Sequence, residues 1–323
     1  MRKIIVLLTR LIFLDYFSFR KRGEITVFMF HKLNEEKTRF YQGMPYDTFD
    51  KLCRYIKKHY EVVSLEFIQQ NKLSPRKKYA VITFDDGHKE IKDIAYPILQ
   101  KIKLTFNINI DTEIITTGEP QDFVKIYDIL NSLNSIDKIT LPSFGEFNLR
   151  GLSNIQIESF FTDKLSELTR DERTRFINEL IEETDFNRAH FSKMLTKEDI
   201  AFLHLEGVEI GSHSHTHSIL PNLSNDKIEF ELSNSKNILE EITGNKISIL
   251  AFPNGKTNET IERIAKEKGY SIVLETEDKV NKLSVVISGT TVKLKRINQY
   301  HQTLNEALFH TYGIKNKIKF WKD

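Results

Sequence analysis

The sequence predicts an α/β fold in which parallel strands alternate with helices. The chain has 323 residues, of which 40% are hydrophobic and 28% are charged, values typical of a soluble globular protein. Short runs of β-branched and aromatic residues alternate with stretches of helical apolar spacing. Polar motifs follow two of the predicted strands, where α/β folds place functional groups. The alternation alone fits a parallel barrel and an open doubly wound sheet equally well.

The alternation begins near residue 25 and gives a strand–helix–strand unit. Residues 25–30, Ile-Thr-Val-Phe-Met-Phe, are typical of a buried strand. The predicted elements of this part are a strand over 25–30, a helix over 47–59, strands over 61–65 and 80–84, a helix over 91–102 and a strand over 104–110. Strands joined through a helix are expected to pair in parallel.

The regularity weakens over residues 112–195, which we interpret as an insertion within the same domain. A hairpin is predicted over 139–149 and polar helices over 154–186. The alternation then resumes, because Thr196 and Asp199 form a capping-box pattern at the start of a further helix.

The last third of the chain returns to alternating elements. They are predicted as a strand over 208–210, a helix over 224–242, a strand over 247–252, a helix over 259–268 and strands over 271–274 and 292–297. The predicted organisation is an N-terminal segment over 1–24, a main domain over 25–301 that contains the insertion, and a C-terminal helix or tail over 302–323.

Composition excludes some classes of function. The formal net charge of +2 gives no electrostatic footprint for nucleic acid. Cys53 is the only cysteine, so the chain can form neither an intramolecular disulfide nor a cysteine metal cluster, and a metal site would have to use His, Asp or Glu. The amphipathic spacing around Cys53 predicts a buried thiol rather than a nucleophile.

The N-terminal segment is basic and apolar. Its apolar part is interrupted by Arg10 and Asp15, is shorter than the roughly 20 residues of a membrane span, and is followed by no small-residue cleavage site. Two interpretations remain, namely a helix packed on its own domain and an interfacial helix in peripheral contact with an anionic membrane. We therefore expect a cytoplasmic protein or one peripheral on the inner membrane surface.

Two adjacent carboxylates form the first motif that indicates chemistry. Asp85 and Asp86 lie in Thr-Phe-Asp-Asp-Gly, directly after the strand predicted over 80–84. Neighbouring acids at a buried strand end repel each other and lose hydration, so a nearby cation such as a metal favours them. The alternative is an ordinary Asp-Asp-Gly turn.

Three histidines in five positions form the second motif. His213, His215 and His217 follow the strand predicted over 208–210. On one helical turn His213 and His217 would share a face, as in a common divalent-metal chelate, while His215 would point elsewhere. The alternative is a surface histidine run. With Asp86 the pair gives three protein ligands and open positions, the stoichiometry of a catalytic rather than a structural metal site.

These motifs resemble a known family. The segments 83–87, 213–217 (His-Ser-x-x-His) and 250–255 (Leu-Ala-Phe-Pro-Asn-Gly) are similar, in order and spacing, to the polysaccharide deacetylase (NodB-homology) family of carbohydrate esterases. The resemblance covers residues 25–300. It implies a distorted (β/α) barrel, a divalent metal that is usually zinc, with cobalt and manganese as alternatives, and hydrolysis of the N-acetyl group of an N-acetylated saccharide.

The resemblance also implies roles for individual residues. Asp85 would be the general base, and Asp86, His213 and His217 would be the metal ligands. A backbone N–H near Asn254 would share the charge of the oxyanion.

The chain departs from the family pattern at two catalytic positions. Many members have an arginine where this chain has Ala251, and we hypothesise that Arg296 replaces it; the alternative is a surface cation. The late histidine that protonates the leaving amine in many members has no clear match, and His301 is the nearest candidate.

Four further polar residues near the motifs receive structural interpretations. Asn107 and Asn109 alternate on a predicted strand and are interpreted as ordinary strand residues. His31 and His88 are interpreted as structural histidines or substrate-side contacts, because three protein ligands already suffice for the metal.

The leading hypothesis is a deacetylase that acts on a saccharide or a lipid-linked saccharide of a cell-surface glycan. A secreted deacetylase of peptidoglycan or exopolysaccharide is an alternative within enzymes. A non-catalytic metal-binding or carbohydrate-binding relative is the alternative of another class.

Overall fold

The computed structural model describes residues 22–35, 37–70, 73–135, 137–286 and 291–313. The interpretations of the N-terminal segment concern residues 1–21, which lie outside the described residues, as does the end of the predicted C-terminal tail. Within the described ranges, no helix combines the length and the apolar character that crossing a membrane requires.

The described chain contains thirteen strands. They are β1 (Glu24–Phe30), β2 (Leu33–Asn34), β3 (Met44–Pro45), β4 (Glu61–Val62), β5 (Lys78–Phe84), β6 (Asn107–Ile110), β7 (Lys138–Leu141), β8 (Gly145–Asn148), β9 (Glu209–Ser212), β10 (Ile249–Ala251), β11 (Ile272–Thr276), β12 (Asn281–Lys282) and β13 (Val292–Asn298).

The α-helices follow the predicted alternation. They are α1 (Tyr46–His59), α2 (Leu65–Gln69), α3 (Tyr96–Lys101), α4 (Glu113–Thr117), α5 (Asp122–Ser132), α6 (Asn154–Glu167), α7 (Arg170–Thr184), α8 (Lys197–Leu205), α9 (Asn225–Thr243), α10 (Glu259–Glu267), α11 (Leu283–Val286) and α12 (Leu304–Thr311).

Seven parallel strands close into a barrel. The order is β1, β13, β11, β10, β9, β6 and β5, and β5 returns to β1 through the continuous register from Glu24↔Lys78 to Phe30↔Phe84. The short strands β4 and β12 pair with β5 and β1 outside this ring. The barrel expected from the family resemblance is therefore confirmed, and the open doubly wound sheet is excluded.

Alternate residues of each strand fill the barrel or face the helices. On β5, Tyr79 and Val81 belong to the interior cluster, whereas Ile82 and Phe84 pack against the surrounding helices. Both faces are buried, which is why these strands have nearly continuous hydrophobic sequences. The same alternation directs the side chain of Arg296 on β13 into the barrel, because Arg296 lies two residues after the interior residue Leu294.

The strand predicted over 61–65 is wrong in its second half. The strand ends as Glu61–Val62, and the Ser64 side chain then caps α2. The carboxylate of Glu209 accepts hydrogen bonds from the first two N–H groups of α2, those of Leu65 and Glu66, each at 2.8 Å. A carboxylate at a helix N-terminus stabilises the helix. The apolar residues of α2 join the interior cluster, so this helix closes the amino end of the barrel.

The helix predicted over 91–102 is present but irregular. It opens with a wide turn over Ile91–Ala95 and continues as α3. Pro97 in the first turn of α3 has no N–H to donate to the preceding turn, which explains why regular helix begins only there.

The inserted region has the predicted hairpin and polar helices. Strands β7 and β8 pair antiparallel, and α5, α6 and α7 surround a separate apolar cluster that includes Phe161 and Phe176. Phe40, from the loop between β2 and β3, is fully buried in the same cluster. The insertion therefore holds a loop that lies at the carboxyl end of the barrel.

Cys53 is buried in α1, as predicted. Burial raises the pKa of its thiol well above the ordinary value, so the nucleophilic thiolate is disfavoured.

Candidate active site

The carboxyl end of the barrel brings the two sequence motifs together. Asp85 occupies the next inward position after Val81 and Thr83 on β5, and its N–H donates to the carbonyl of Phe30. Asp86 then adopts a positive φ of 71°, which turns its side chain across the barrel mouth toward the histidine segment. The adjacent carboxylates thus take different partners.

Asp85 is held by two side chains. Its Oδ1 accepts hydrogen bonds from Arg296 Nη1 at 2.7 Å and from Asn109 Nδ2 at 2.8 Å. Both Asp85 and Arg296 are almost completely buried. Burial would raise the pKa of the Asp85 carboxyl, but the charge of Arg296, the nearby His213 and the Arg296 hydrogen bond outweigh it and hold that pKa well below its ordinary value. Asp85 is therefore ionised and able to accept a proton.

Arg296 contacts Asp85, as expected if it replaces the family arginine that this chain lacks. It is buried and directed at the carboxylate, so the alternative of a surface cation is wrong. The interpretation of Asn109 as an ordinary strand residue is also wrong, because its amide donates to the same carboxylate oxygen.

Asp86, His213 and His217 converge on one point. The Oδ1 atom of Asp86 lies 3.5 Å from Nε2 of each histidine, and the three candidate ligand atoms lie within 4.8 Å of one another. The predicted helical turn is wrong: residues 213–217 form a loop, in which His217 has a positive φ of 55°. The shared face of the two histidines thus arises from loop geometry and not from helical spacing.

The donor atoms fit a divalent metal ion. The Nδ1 of His213 is 2.8 Å from the carbonyl of Ala251, which can only accept, so Nδ1 carries the proton and Nε2 presents its lone pair. Burial lowers the pKa of His217 to about 4, against the opposing charge of Asp86, so its imidazole is neutral. Oδ1 of Asp86 is buried and has no hydrogen-bond partner among the described residues. These are the protonation states that metal ligands require.

The histidine loop is fixed by a buried carboxylate on α9. Glu231 Oε2 accepts the N–H groups of His215 (2.9 Å) and Thr216 (2.8 Å), and Oε1 accepts the Thr216 hydroxyl at 2.6 Å. From the other side, the N–H of Thr112 donates to the carbonyl of Ser214. Contacts from α9 and from Thr112 thus hold the loop on both sides.

Comparisons with known proteins agree with this geometry. Residues 165–273 match the family model described as Polysaccharide deacetylase. This stretch of the chain is therefore similar to the polysaccharide deacetylase family. The matched region contains His213 and His217 but begins after Asp85 and Asp86, so the acidic half of the site rests on the geometry given above.

Individual relatives support the same family. YxkH from Bacillus subtilis (strain 168), a protein named for this family, is 28% identical over 83 residues, which are 26% of this chain and 30% of the relative. The chain thus spans less than a third of that relative's length.

Two solved structures share the fold. The Streptococcus pyogenes deacetylase PplD, in complex with acetate, is similar with a TM-score of 0.60 and 18% identity, over 90% of this chain and 99% of that one. A de-N-acetylase from Aggregatibacter actinomycetemcomitans is similar with a TM-score of 0.56 and 17% identity, over 91% of this chain and 100% of that one.

The other candidate site residues lie around this centre. Asn254 has a positive φ of 55° in the turn after β10. The N–H groups of Gly255 and Lys256 donate to the carbonyls of Phe252 and Pro253, so the predicted oxyanion contact depends on the N–H of Asn254 itself. This role stays a prediction.

His31, interpreted as a structural histidine or a substrate-side contact, and His301, the candidate proton donor, are placed differently. His31 Nε2, at the end of β1, lies 4.0 Å from Asp85 Oδ2, and its side chain is 26% exposed. The ring of His301 instead packs on that of His310, whose Nε2 is 3.1 Å from Asp278. His31, and not His301, is therefore the histidine that lies next to the candidate base Asp85.

Sequence reasoning did not identify Tyr41, Gln121 or Glu231. The hydroxyl of Tyr41 donates to Asp86 Oδ2 at 2.8 Å, and the amide of Gln121 donates to the Asp86 carbonyl at 2.9 Å. All three lie outside the family motifs, and no local pattern marks them.

Proposed function

We propose that the protein is a metal-dependent hydrolase that removes an N-acetyl group from an amino sugar in a saccharide or lipid-linked saccharide of a cell-surface glycan. One observation carries the proposal: two imidazoles, His213 and His217, and the carboxylate of Asp86 form a donor set beside an ionised base, with Asp85 Oδ2 at 3.8 Å from His213 Nε2. A base next to an open metal site is the arrangement for metal-assisted hydrolysis.

The side chains divide the chemistry between them. A bound divalent metal would polarise the acetamide carbonyl and lower the pKa of the attacking water. Asp85 would accept a proton from that water, held in orientation by Arg296 and Asn109. The N–H of Asn254 would donate to the developing oxyanion. His31, partly exposed at the same mouth, would protonate the leaving amine.

The substrate class is supported by the similarity to the family and by two structural relatives. PplD is described as a deacetylase with acetate bound, and the Aggregatibacter structure as that of a de-N-acetylase. Two imidazoles and one carboxylate with open positions suit zinc best, and cobalt and manganese also accept such ligands. A cytoplasmic or inner-membrane location stays a prediction.

The test is acetate release from a panel of N-acetylhexosamine saccharides, free and lipid-linked, by protein reconstituted with zinc, cobalt or manganese. The Asp85→Asn variant keeps the shape of the side chain but removes the base, so we expect the wild type to release acetate and the variant to lose about 10²–10⁴-fold. Asp93→Asn, at an exposed position, is the matched control. Metal binding without acetate release from any substrate would contradict the proposal and support a binding protein.

A further inference from the structure

Tyr41 is placed to control the metal ligand Asp86. Its hydroxyl lies 2.8 Å from Asp86 Oδ2 and 3.2 Å from His88 Nε2. Asp86 Oδ2 is fixed in this way, while Oδ1, the other oxygen of the same carboxylate, faces the two histidines.

The proton positions in this group follow from the donors available. A tyrosine hydroxyl has one hydrogen, and an ionised carboxylate can only accept. The hydroxyl of Tyr41 therefore donates to Asp86, and His88 must donate its Nε2–H to the tyrosine oxygen. His88 is completely buried, so this chain of hydrogen bonds, His88 to Tyr41 to Asp86, is closed to solvent on the histidine side.

The inserted region holds Tyr41 in this position. The backbone N–H of Tyr41 donates to Glu158 Oε1 of α6 at 2.9 Å, and the N–H of Phe40 donates to Asn131 Oδ1 of α5 at 2.8 Å. The side-chain amide of Asn131 also donates a hydrogen bond to the carbonyl of Phe40. Tyr41 itself has a positive φ of 46°, a conformation that persists only where surrounding contacts impose it.

We propose that Tyr41 is a positioning residue for the metal ligand Asp86, and that the insertion maintains this contact through Glu158. The hydrogen bond from Tyr41 occupies Oδ2 of Asp86, so Oδ1 is the oxygen that faces His213 and His217. The insertion thus acts on the metal centre as well as on the surface around it. This inference rests on the proposed metal site but not on the deacetylation reaction.

The first test measures metal binding without substrate. Apo protein of the full chain is titrated with cobalt(II) against a competing chelator, and the visible absorption spectrum of the cobalt form is recorded. We expect Tyr41→Phe to weaken cobalt binding by about 10–100-fold, the usual effect of removing a hydrogen bond to a metal ligand. We also expect the spectrum to change, because Oδ2 would be free to approach the metal. Melting of the apo proteins checks that the variant is folded.

Tyr127→Phe is the matched control. The Tyr127 ring stacks on Tyr41 with centroids 5.8 Å apart, but its hydroxyl contacts Thr162 at 2.9 Å and the carbonyl of Glu158 at 3.4 Å rather than Asp86. We expect wild-type cobalt affinity and spectrum for this variant. Equal losses in both variants would show that removing either hydroxyl of the ring pair disturbs the site, whether or not it bonds Asp86, and would overturn the proposal.

The second test addresses the insertion. Glu158→Gln keeps an acceptor for the Tyr41 N–H, whereas Glu158→Ala removes it. We expect Glu158→Ala to weaken cobalt binding in the same direction as Tyr41→Phe and to give a similar spectral change, with Glu158→Gln restoring both. A Tyr41→Phe protein that binds cobalt within threefold of wild type with an unchanged spectrum refutes the positioning role. Such a result would leave the acetate-release test of the proposed function unaffected.

Discussion

Replacing Arg296 by methionine tests whether this arginine maintains the charge of Asp85, the proposed catalytic base. The substitution removes the 2.7 Å hydrogen bond to Asp85 Oδ1 and leaves Asn109 as the donor to that oxygen. Methionine keeps much of the side-chain volume. Asp85 is then a carboxylate with 1% exposure and no buried cation against it, so its pKa should rise.

The expected magnitude follows from the burial of the pair. Breaking a buried ion pair by removing one partner costs about 3–5 kcal/mol. This cost applies to stability; for catalysis the loss comes from the orientation of the base, and misplacing a catalytic group by about 1 Å decreases kcat/KM for acetate release by about 10²-fold. The acid limb of the pH profile should move to higher pH.

Stability should change with pH in a defined direction. The Asp85 pKa is lowered in the folded protein, so its ionised form stabilises the fold above the ordinary Asp pKa of about 4, and this contribution is lost as the pH falls through the folded value. The deficit of Arg296→Met in the free energy of unfolding should therefore be largest near neutral pH and decrease below about pH 4.

The control is Arg263→Met, which removes an exposed arginine paired with Glu267 at 2.7 Å and should change stability by less than about 0.5 kcal/mol. Arg296→Lys keeps a charge but not the planar donor group, and should recover part of the activity. A value of kcat/KM for Arg296→Met within threefold of wild type, with the acid limb unmoved, would show that Arg296 does not support the base.

Three further predictions address the surroundings of the site. Asp111 is buried, and the amide of Gln121 donates both to its carboxyl group and to the Asp86 carbonyl. Burial raises the pKa of the Asp111 carboxyl well above the ordinary value. The wild type should therefore lose stability as the pH rises above about 4. Asp111→Asn should remove that loss in urea unfolding, and equal pH dependence in both proteins would contradict it. Glu231→Gln places an amide against the N–H donors of the histidine loop, so it should lower the free energy of unfolding by about 1–3 kcal/mol and weaken zinc binding. Glu229→Gln, at an exposed position, should do neither, and calorimetric titration with zinc measures the difference in binding. Zinc at 100 times its dissociation constant should stabilise the protein by about 2.7 kcal/mol, measured as a higher melting temperature that a chelator reverses. His217→Ala should lack this effect, and a zinc effect retained in that variant would refute His217 as a ligand.

The fold could be predicted because its signals are local. Strands buried on both faces and amphipathic helices repeat along the chain, and the capping box at Thr196 marks the return from the insertion. The strand predicted over 61–65 was wrong because the carboxylate of Glu209, 144 residues away from Leu65, stabilises a helix N-terminus there. Such a contact has no trace in the local sequence.

The site was predictable only in part for the same reason. Asp85, Asp86 and the histidines follow strands, and the polar alternation of Asn107 and Asn109 on a buried strand was itself a signal that one face meets polar partners. Tyr41 had no comparable signal. It reaches Asp86 because α5 and α6 of the insertion hold its loop, and that arrangement depends on tertiary packing.

Unusual backbone conformations position the candidate metal ligands. Seven non-glycine residues have positive φ in the described part of the chain, and five of them surround the site: Tyr41, Asp86, Ser214, His217 and Asn254. Such conformations cost about 1–3 kcal/mol each and persist only where neighbouring contacts impose them. Here the contacts are visible, since the carbonyl of Asp86 accepts from Gln121 and that of Ser214 from Thr112. Local propensity therefore disfavours the geometry that the site needs, and the closed barrel with its insertion supplies it. The expected result is a donor set that changes little on metal binding, so substitutions of these supporting contacts should weaken metal affinity more than they lower the stability of the apo protein.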